Sequence, residues 1–284
     1  MRYPTLDILR GLALISMVTA HVSLLGHPSL SDRLIHEVPW IDGAFYFVAV
    51  SGVVSGLVHR RIVEKQGFEA SARKLTRRAG FIYLVQIGLV AATVTLASID
   101  STTTLELTPT WSELGGVLRG LVDIALLRVE PNFTGVLPMY VAFLLWAIPM
   151  VWLLKRGLWW AVAASSIGVY AVGKAVDGFT FAAPGTSFDV LGWQLLFTGG
   201  LLLGWAWEHE RLALPALWRK RIVTGAVVFS AGVLGLAVIG KGRADDVLAW
   251  TVTKFNGGFV AFMFAASALV TAYVVLDALR RRRT

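Results

Sequence analysis

Three ionisable residues fall within the first long apolar stretch of this 284-residue chain: Asp7, Arg10 and His21. Placing such groups in a bilayer costs on the order of several kcal/mol unless they are paired or hydrated, which makes them functional candidates by default. If the stretch is one α-helix, at ~100° and ~1.5 Å per residue, Arg10 and His21 lie about 20° apart and ~16 Å along the axis. Asp7 sits about 60° round from Arg10 and one turn below it, within reach of an ion pair. The spacing therefore predicts a paired guanidinium near one membrane surface and an imidazole deep in the bilayer, on one face of one helix.

Those residue types suit acyl transfer. A neutral imidazole tolerates burial, and a neutral ring is what a general base must be. The guanidinium stays charged at any accessible pH and can grip an anion or a developing oxyanion. The other histidines, His27, His36, His59 and His209, fall in loops or at the ends of apolar stretches. The structural alternative is an arginine snorkelling to the interface and a histidine bonded to a neighbouring carbonyl.

The elements that must hold these residues are membrane spans. Charged residues make up 15% of the chain and hydrophobic ones 56%, where a soluble domain carries about 25% charged. Apolar runs lie at 11–26, 43–58, 79–99, 136–154, 157–173, 190–207, 222–240 and 255–276. Most approach the length needed to cross ~30 Å of hydrocarbon. The expectation is an all-α, polytopic transmembrane bundle of about eight spans, forming a single domain over 1–284. With the N-terminus in the cytoplasm, the cytoplasmic segments hold 19 of the 26 Lys and Arg residues, and the opposite side holds 12 of the 18 acidic ones. Both termini are therefore expected inside. This asymmetry absorbs most of the net charge of +8, and no soluble domain is left to bind nucleic acid. The absence of cysteine excludes disulfides, thiolate metal sites and a cysteine nucleophile. Asp7 and Arg10 interrupt any signal-peptide pattern, so the first segment reads as a retained span.

The longest outer connection, 99–135, has a pattern of its own. Thr110-x-x-Glu113 has the form of a capping box. Leu114, Val117, Leu118, Leu121, Val122 and Ala125 then recur at helical spacing, with Arg119 and Asp123 four apart on another face. An amphipathic helix near 112–128 is expected, lying at the outer interface or lidding an outward-opening site. Ser51-Gly52-Val53-Val54-Ser55-Gly56 and the Gly199, Gly200 and Gly204 group predict close helix packing. No internal repeat of the transporter kind is evident.

Asp7-x-x-Arg10-Gly11-Leu12-Ala13 with His21 resembles the Arg-x10-His motif in the first span of the membrane acyltransferase-three superfamily, and within it the OpgC family most. Further stretches match in family order: Asp42-Gly43-Ala44 leading to Phe47-Val48 and Ser51-Gly52; Arg78-Ala79 with Tyr83; Leu137-Pro138-x-Tyr140; Gly192-Trp193-Gln194-Leu195-Leu196-Phe197; and Lys254-x-Asn256. The resemblance runs from residue 6 to about 276. It implies a multi-pass enzyme of the bacterial inner (cytoplasmic) membrane that succinylates glucans, with acetyl as the other acyl group considered. The donor would be cytoplasmic acyl-CoA and the acceptor a hydroxyl of an extracytoplasmic glycan. His21 would be the base, Arg10 would contact the donor or the acyl carbonyl, and Asp7 and Ser51 would support them. Phe45 stands where the family has Glu, and the family continues through about two further spans beyond Thr284, so the chain reads as either a shortened member or a truncated piece of one.

Other residues fit around that core. Acyl-CoA phosphates would dock on the basic 59–78 loop, through Arg60, Arg61, Arg77 and Arg78. Asp42, Tyr140, Trp193, Gln194, Lys254 and Asn256 are the acceptor-side candidates, Trp193 and Gln194 offering an indole and an amide to a sugar. No permanently bound cofactor and no metal is implied; membrane lipids are expected partners, and a homo-oligomer is compatible with the sequence. Two other classes compete. A transporter or flippase of an anionic or lipid-linked substrate would use Arg10 as its ligand, but the missing repeat and the single deep titratable residue count against it. An inert assembly subunit is the third, and acyl-CoA hydrolysis separates it from the first.

Overall fold

In lipid, backbone N–H and C=O groups must be satisfied within the protein, and long uncharged runs do so as helices. A computed structural model describes residues 4–23 (side chains to 19), 43–99, 108–131, 134–176, 179, 188–207, 220–221, 223–229, 231–232, 266–267 and 270. The elements among the described residues are α1 (Pro4–Ser23), α2 (Gly43–Gln66), α3 (Phe68–Ile99), α4 (Val117–Ala125), α5 (Val136–Lys155), α6 (Trp159–Ala175) and α7 (Val190–Trp207). The fold is all-helical, and α2, α3, α5 and α7 are each long and apolar enough to cross a membrane. Helices α1 and α6 coincide with the first and fifth apolar stretches. The seventh and eighth, 222–240 and 255–276, lie mostly outside the described residues.

Two connections are set by local chemistry. After α5, Gly157 takes φ 76°, its N–H bonds the Leu154 carbonyl at 3.0 Å, and Leu158 N–H reaches back to Leu153 O at 3.0 Å. This pair of bonds is a Schellman closure, and it turns the chain straight into α6. The basic 59–78 stretch, expected as a loop, is helical on both sides of Gly67. Its Arg, Lys, Ala and Glu residues are good helix formers, so only the glycine interrupts.

The chain divides into two compact units, Met1–His59 with Leu196–Thr284, and Arg60–Leu195. In the first, Leu6 and Leu9 of α1 share a core with Val50, Val53 and Leu57 of α2, and Trp207 packs against it. Helix α2 meets α7 backbone to backbone. A Cβ on Gly52 would fall on Phe197 and Gly200, and one on Gly204 would fall on Val53. Gly199, expected in the same contact, is exposed, and a Cβ there would meet nothing within 4 Å among the described residues, because it lies about 100° round from Gly200.

In the second unit α3 packs on α5 and α4, and α5 on α6. The capping box forms: Glu113 accepts from Thr110 N at 2.7 Å and Thr110 Oγ1 at 2.9 Å. It closes a turn rather than starting a helix. Gly115 and Gly116, at φ 78° and 101°, delay α4 to Val117, five residues later than expected. The i,i+4 pair of Arg119 and Asp123 is also replaced, since Asp123 Oδ1 instead lies 3.5 Å from Nη1 of Arg128.

Candidate functional site

Helix α1 runs unbroken from Pro4 to Ser23, so Arg10 and His21 share one continuous backbone helix. Eleven residues at ~100° keep their positions about 20° apart, as the spacing requires. The His21 side chain lies outside the described residues, as do Asp42, Lys254 and Asn256. Leu6, Leu9 and Ala13 form the buried stripe of α1, and Gly43 of α2 sits against Ala13 and Met17. Arg10 lies on the flank of that stripe and is half-buried.

The expected ion pair between Asp7 and Arg10 does not form. Asp7 falls a further ~60° round from the buried stripe and is exposed, where it completes the acidic first turn of the helix. The Nε of Arg10 is buried and has no hydrogen-bond partner among the described residues. Two hydroxyls of the same unit share that condition: Ser51 Oγ on α2 and Ser16 Oγ on α1. Ser51 is almost fully buried, one turn before Ser55, and Phe45 is completely buried two turns further back. These three buried polar atoms of unit one have no hydrogen-bond partner among the described residues.

The proposed donor cations lie in the second unit and are not equivalent. Arg60 is buried, with Nε 2.8 Å from Glu64 Oε1 on the next turn of α2. Arg61 is half-buried, whereas Arg77 is exposed on the face of α3 opposite Ser71, Leu75 and Ala79. Arg78 is exposed too, and its guanidinium carbon stands 5.6 Å from the centre of the Tyr140 ring. Pro138 falls in the first turn of α5, where a missing N–H costs nothing, and so it fixes the entry that places Tyr140 inside. The structure therefore joins Arg78, expected on the donor side, to Tyr140, expected on the acceptor side.

Trp193 and Gln194 serve packing. Trp193 is 0% exposed and meets Phe188 edge to face at 4.9 Å, so its faces are not a platform open to a sugar. Gln194 Nε2 donates to the Ser166 carbonyl at 2.8 Å and to Leu191 O at 3.2 Å, and its Oε1 accepts from Ser166 Oγ at 2.8 Å. The amide is spent on holding α7 to α6. Sequence reasoning could not see this, because Ser166 stands 28 positions away.

Two residues were passed over. Asp189 is buried and caps α7, its Oδ1 accepting from Leu191 N and Phe179 N, both at 3.0 Å, with Lys174 Nζ 3.6 Å from Oδ2. An acidic residue directly before an apolar run was the available signal. Gln86, in the middle of α3, is 1% exposed, and neither its Nε2 nor its Oε1 has a hydrogen-bond partner among the described residues. A lone amide inside a span is itself a signal.

A family model described as OpgC protein matches residues 2–284. No curated protein sequence and no solved structure matches the chain.

Proposed function

The chain belongs to the OpgC family, and from that premise we propose that it is a glucan-modifying membrane O-acyltransferase. It moves an acyl group, succinyl in preference to acetyl, from cytoplasmic acyl-CoA to a hydroxyl of an extracytoplasmic glycan, acting as one domain of the bacterial inner membrane. The observation that carries this proposal is Arg10: a half-buried residue at a position on the same helix face as position 21, with its Nε buried and without a hydrogen-bond partner among the described residues.

In the proposed step the imidazole of His21 takes the proton of the acceptor hydroxyl as its oxygen attacks the thioester carbonyl. The tetrahedral oxyanion is held by Arg10. Collapse breaks the C–S bond, the imidazolium returns the proton to the departing CoA sulfur, and the glycan ester leaves. No serine nucleophile is needed. General-base assistance is typically worth ~10²–10⁴-fold, and one oxyanion donor about 10²–10³-fold. Arg77, exposed near the basic end of α3, is the donor cation left freest for CoA phosphates, since Arg60 is tied to Glu64. Ser51 supports the site through its uncommitted hydroxyl. Asp42, Lys254 and Asn256 remain the acceptor-side proposal; Trp193 and Gln194 leave it.

The test is acyl transfer per folded protein in His21 variants, with melting temperature measured beside it. His21→Ala and His21→Asn should both lose at least about a hundredfold while staying folded. Arg10→Lys should fail in part, because the charge remains and the planar fork is lost. Near-normal transfer by His21→Asn would show that the imidazole is structural.

A further inference from the structure

Helix α3 exposes Phe81, Leu84, Leu89, Leu96 and Ile99, so its outward surface stays apolar to its last residue. From 81 to 99 this covers ~27 Å, close to the thickness of the hydrocarbon core. The chain that follows returns along this same helix. Trp111 N–H bonds Ser98 Oγ at 2.9 Å and its indole Nε1 bonds Thr95 Oγ1 at 3.2 Å. Further on, Ile124 and Val129 share a buried cluster with Val90 and Val94, and the Ala125 carbonyl accepts from Tyr83 Oη at 2.7 Å. As the chain proceeds from 111 to 125, its partners fall from Ser98 to Val90 and then Tyr83. Even counted only to Val90, that is ~12 Å down the axis of α3.

The faces of α4 agree with such a descent. Its protein side is Gly120, under the Trp111 ring, and Ile124. Its exposed surface carries Val117, Leu118, Leu121, Val122 and Leu126, all apolar, Leu118 at 81%, with Arg119 exposed at one edge. A helix lying flat on headgroups sends its apolar face into the membrane and its polar face to water. Here most of the side turned away from the protein is apolar, with Arg119 at its border, and it continues the apolar surface of α3. The irregular return is built for a dry setting. Leu127, Val129 and Thr134 are buried, and the N–H groups of Leu126, Leu127 and Arg128 bond Val122 O, Ile124 O and Asp123 O. Non-helical backbone at membrane depth survives only when it is enclosed and satisfied in this way.

We infer that residues 117–131 form a re-entrant segment that descends along α3 into the membrane from the side where α3 ends, the outer one by the distribution of basic residues, and that the outward face of α4 is a contact surface for lipid acyl chains. The natural absence of cysteine gives a clean background for the test. Leu118→Cys and Leu126→Cys, each carrying a thiol-linked fluorophore, are reconstituted in phosphatidylcholine vesicles whose acyl chains are brominated at a shallow or a deep position. Leu89→Cys and Ile99→Cys on α3 calibrate depth. Both α4 labels should be quenched, the one at 126 about 10 Å deeper than the one at 118. Equal depths would mean a flat interfacial helix, and no quenching would mean a face in water; either overturns the inference. Should a labelled variant not fold, unlabelled Val117→Cys and Val122→Cys decide. They should resist a charged maleimide in intact vesicles and react after detergent, and reaction in intact vesicles overturns the inference.

Discussion

The two ends of α7 are attached in opposite ways. Its first half, in the unit Arg60–Leu195, is fastened by polar groups: Asp189 caps it and faces Lys174, and Gln194 exchanges two bonds with Ser166. Its second half, in the other unit, is fastened by absence of side chain, with Gly200 and Gly204 meeting α2 at Gly52 and Gly56. Lipid tails are as apolar as leucine, so burial alone does little to join helices in a membrane. What joins them is close van der Waals approach or interhelical hydrogen bonds. The glycine contact tolerates no added atom, whereas the polar contact loses only what its bonds are worth.

The largest effect should follow from adding a side chain at the glycine contact. A Cβ at Gly204 falls on the backbone of Val53, which cannot rotate away. Gly204→Val should cost about 3 kcal/mol or more, the upper end for overpacking, and appear as loss of monodisperse folded protein in detergent. Gly199→Ala, five positions earlier and facing open space, should be neutral or stabilise by up to about 1 kcal/mol. Equal tolerance of both substitutions would dissolve the contrast.

Gln194→Leu and Ser166→Ala come next. Interhelical bonds in membranes average about 0.6 kcal/mol, with values up to about 1.7. A double-mutant cycle should find coupling of about 1 kcal/mol between the two sites. Additive losses would show that the bonds contribute nothing net.

Gln86 sharpens the same comparison, since it is an amide buried like Gln194 but without a hydrogen-bond partner among the described residues. Gln86→Leu keeps the volume and removes an unsatisfied polar group, and should stabilise by about 1 kcal/mol. A lower melting temperature would reveal that the amide is bonded in the membrane. Stabilisation accompanied by loss of acyl transfer would assign it to substrate.

The smallest effect concerns the turn at 110–115. Bonds from the Thr110 N–H and hydroxyl hold the Glu113 carboxyl below its usual value, burial opposing weakly. A depressed carboxyl contributes stability above its unfolded pKa and loses it as pH falls through the folded one. Amide exchange at Thr110 should therefore accelerate as pH falls below the usual carboxylate range, after correction for intrinsic rates. Glu113→Gln should exchange alike across that interval, and a wild-type protein doing the same would remove the turn's pH dependence.

Much of the molecule was legible from residue order, because the deciding forces act along the chain. Runs of some 20 apolar residues dictate membrane helices, Gly157 stops α5, and ~100° per residue puts Arg10 and His21 on one face of α1. Even the capping box at Thr110 and Glu113 was foreseen, though not that two left-handed glycines would keep it from opening a helix. The rest depended on which face meets which neighbour. Only tertiary structure distinguishes Gly200, pressed on α2, from Gly199, facing outward. It alone takes Gln194 for Ser166, keeps Arg10 from pairing with Asp7, sets Arg78 over Tyr140 and sends α4 back along α3. Periodicity fixes the angle of a side chain about its own helix axis, while the partner found at that angle is chosen by packing between residues distant in sequence.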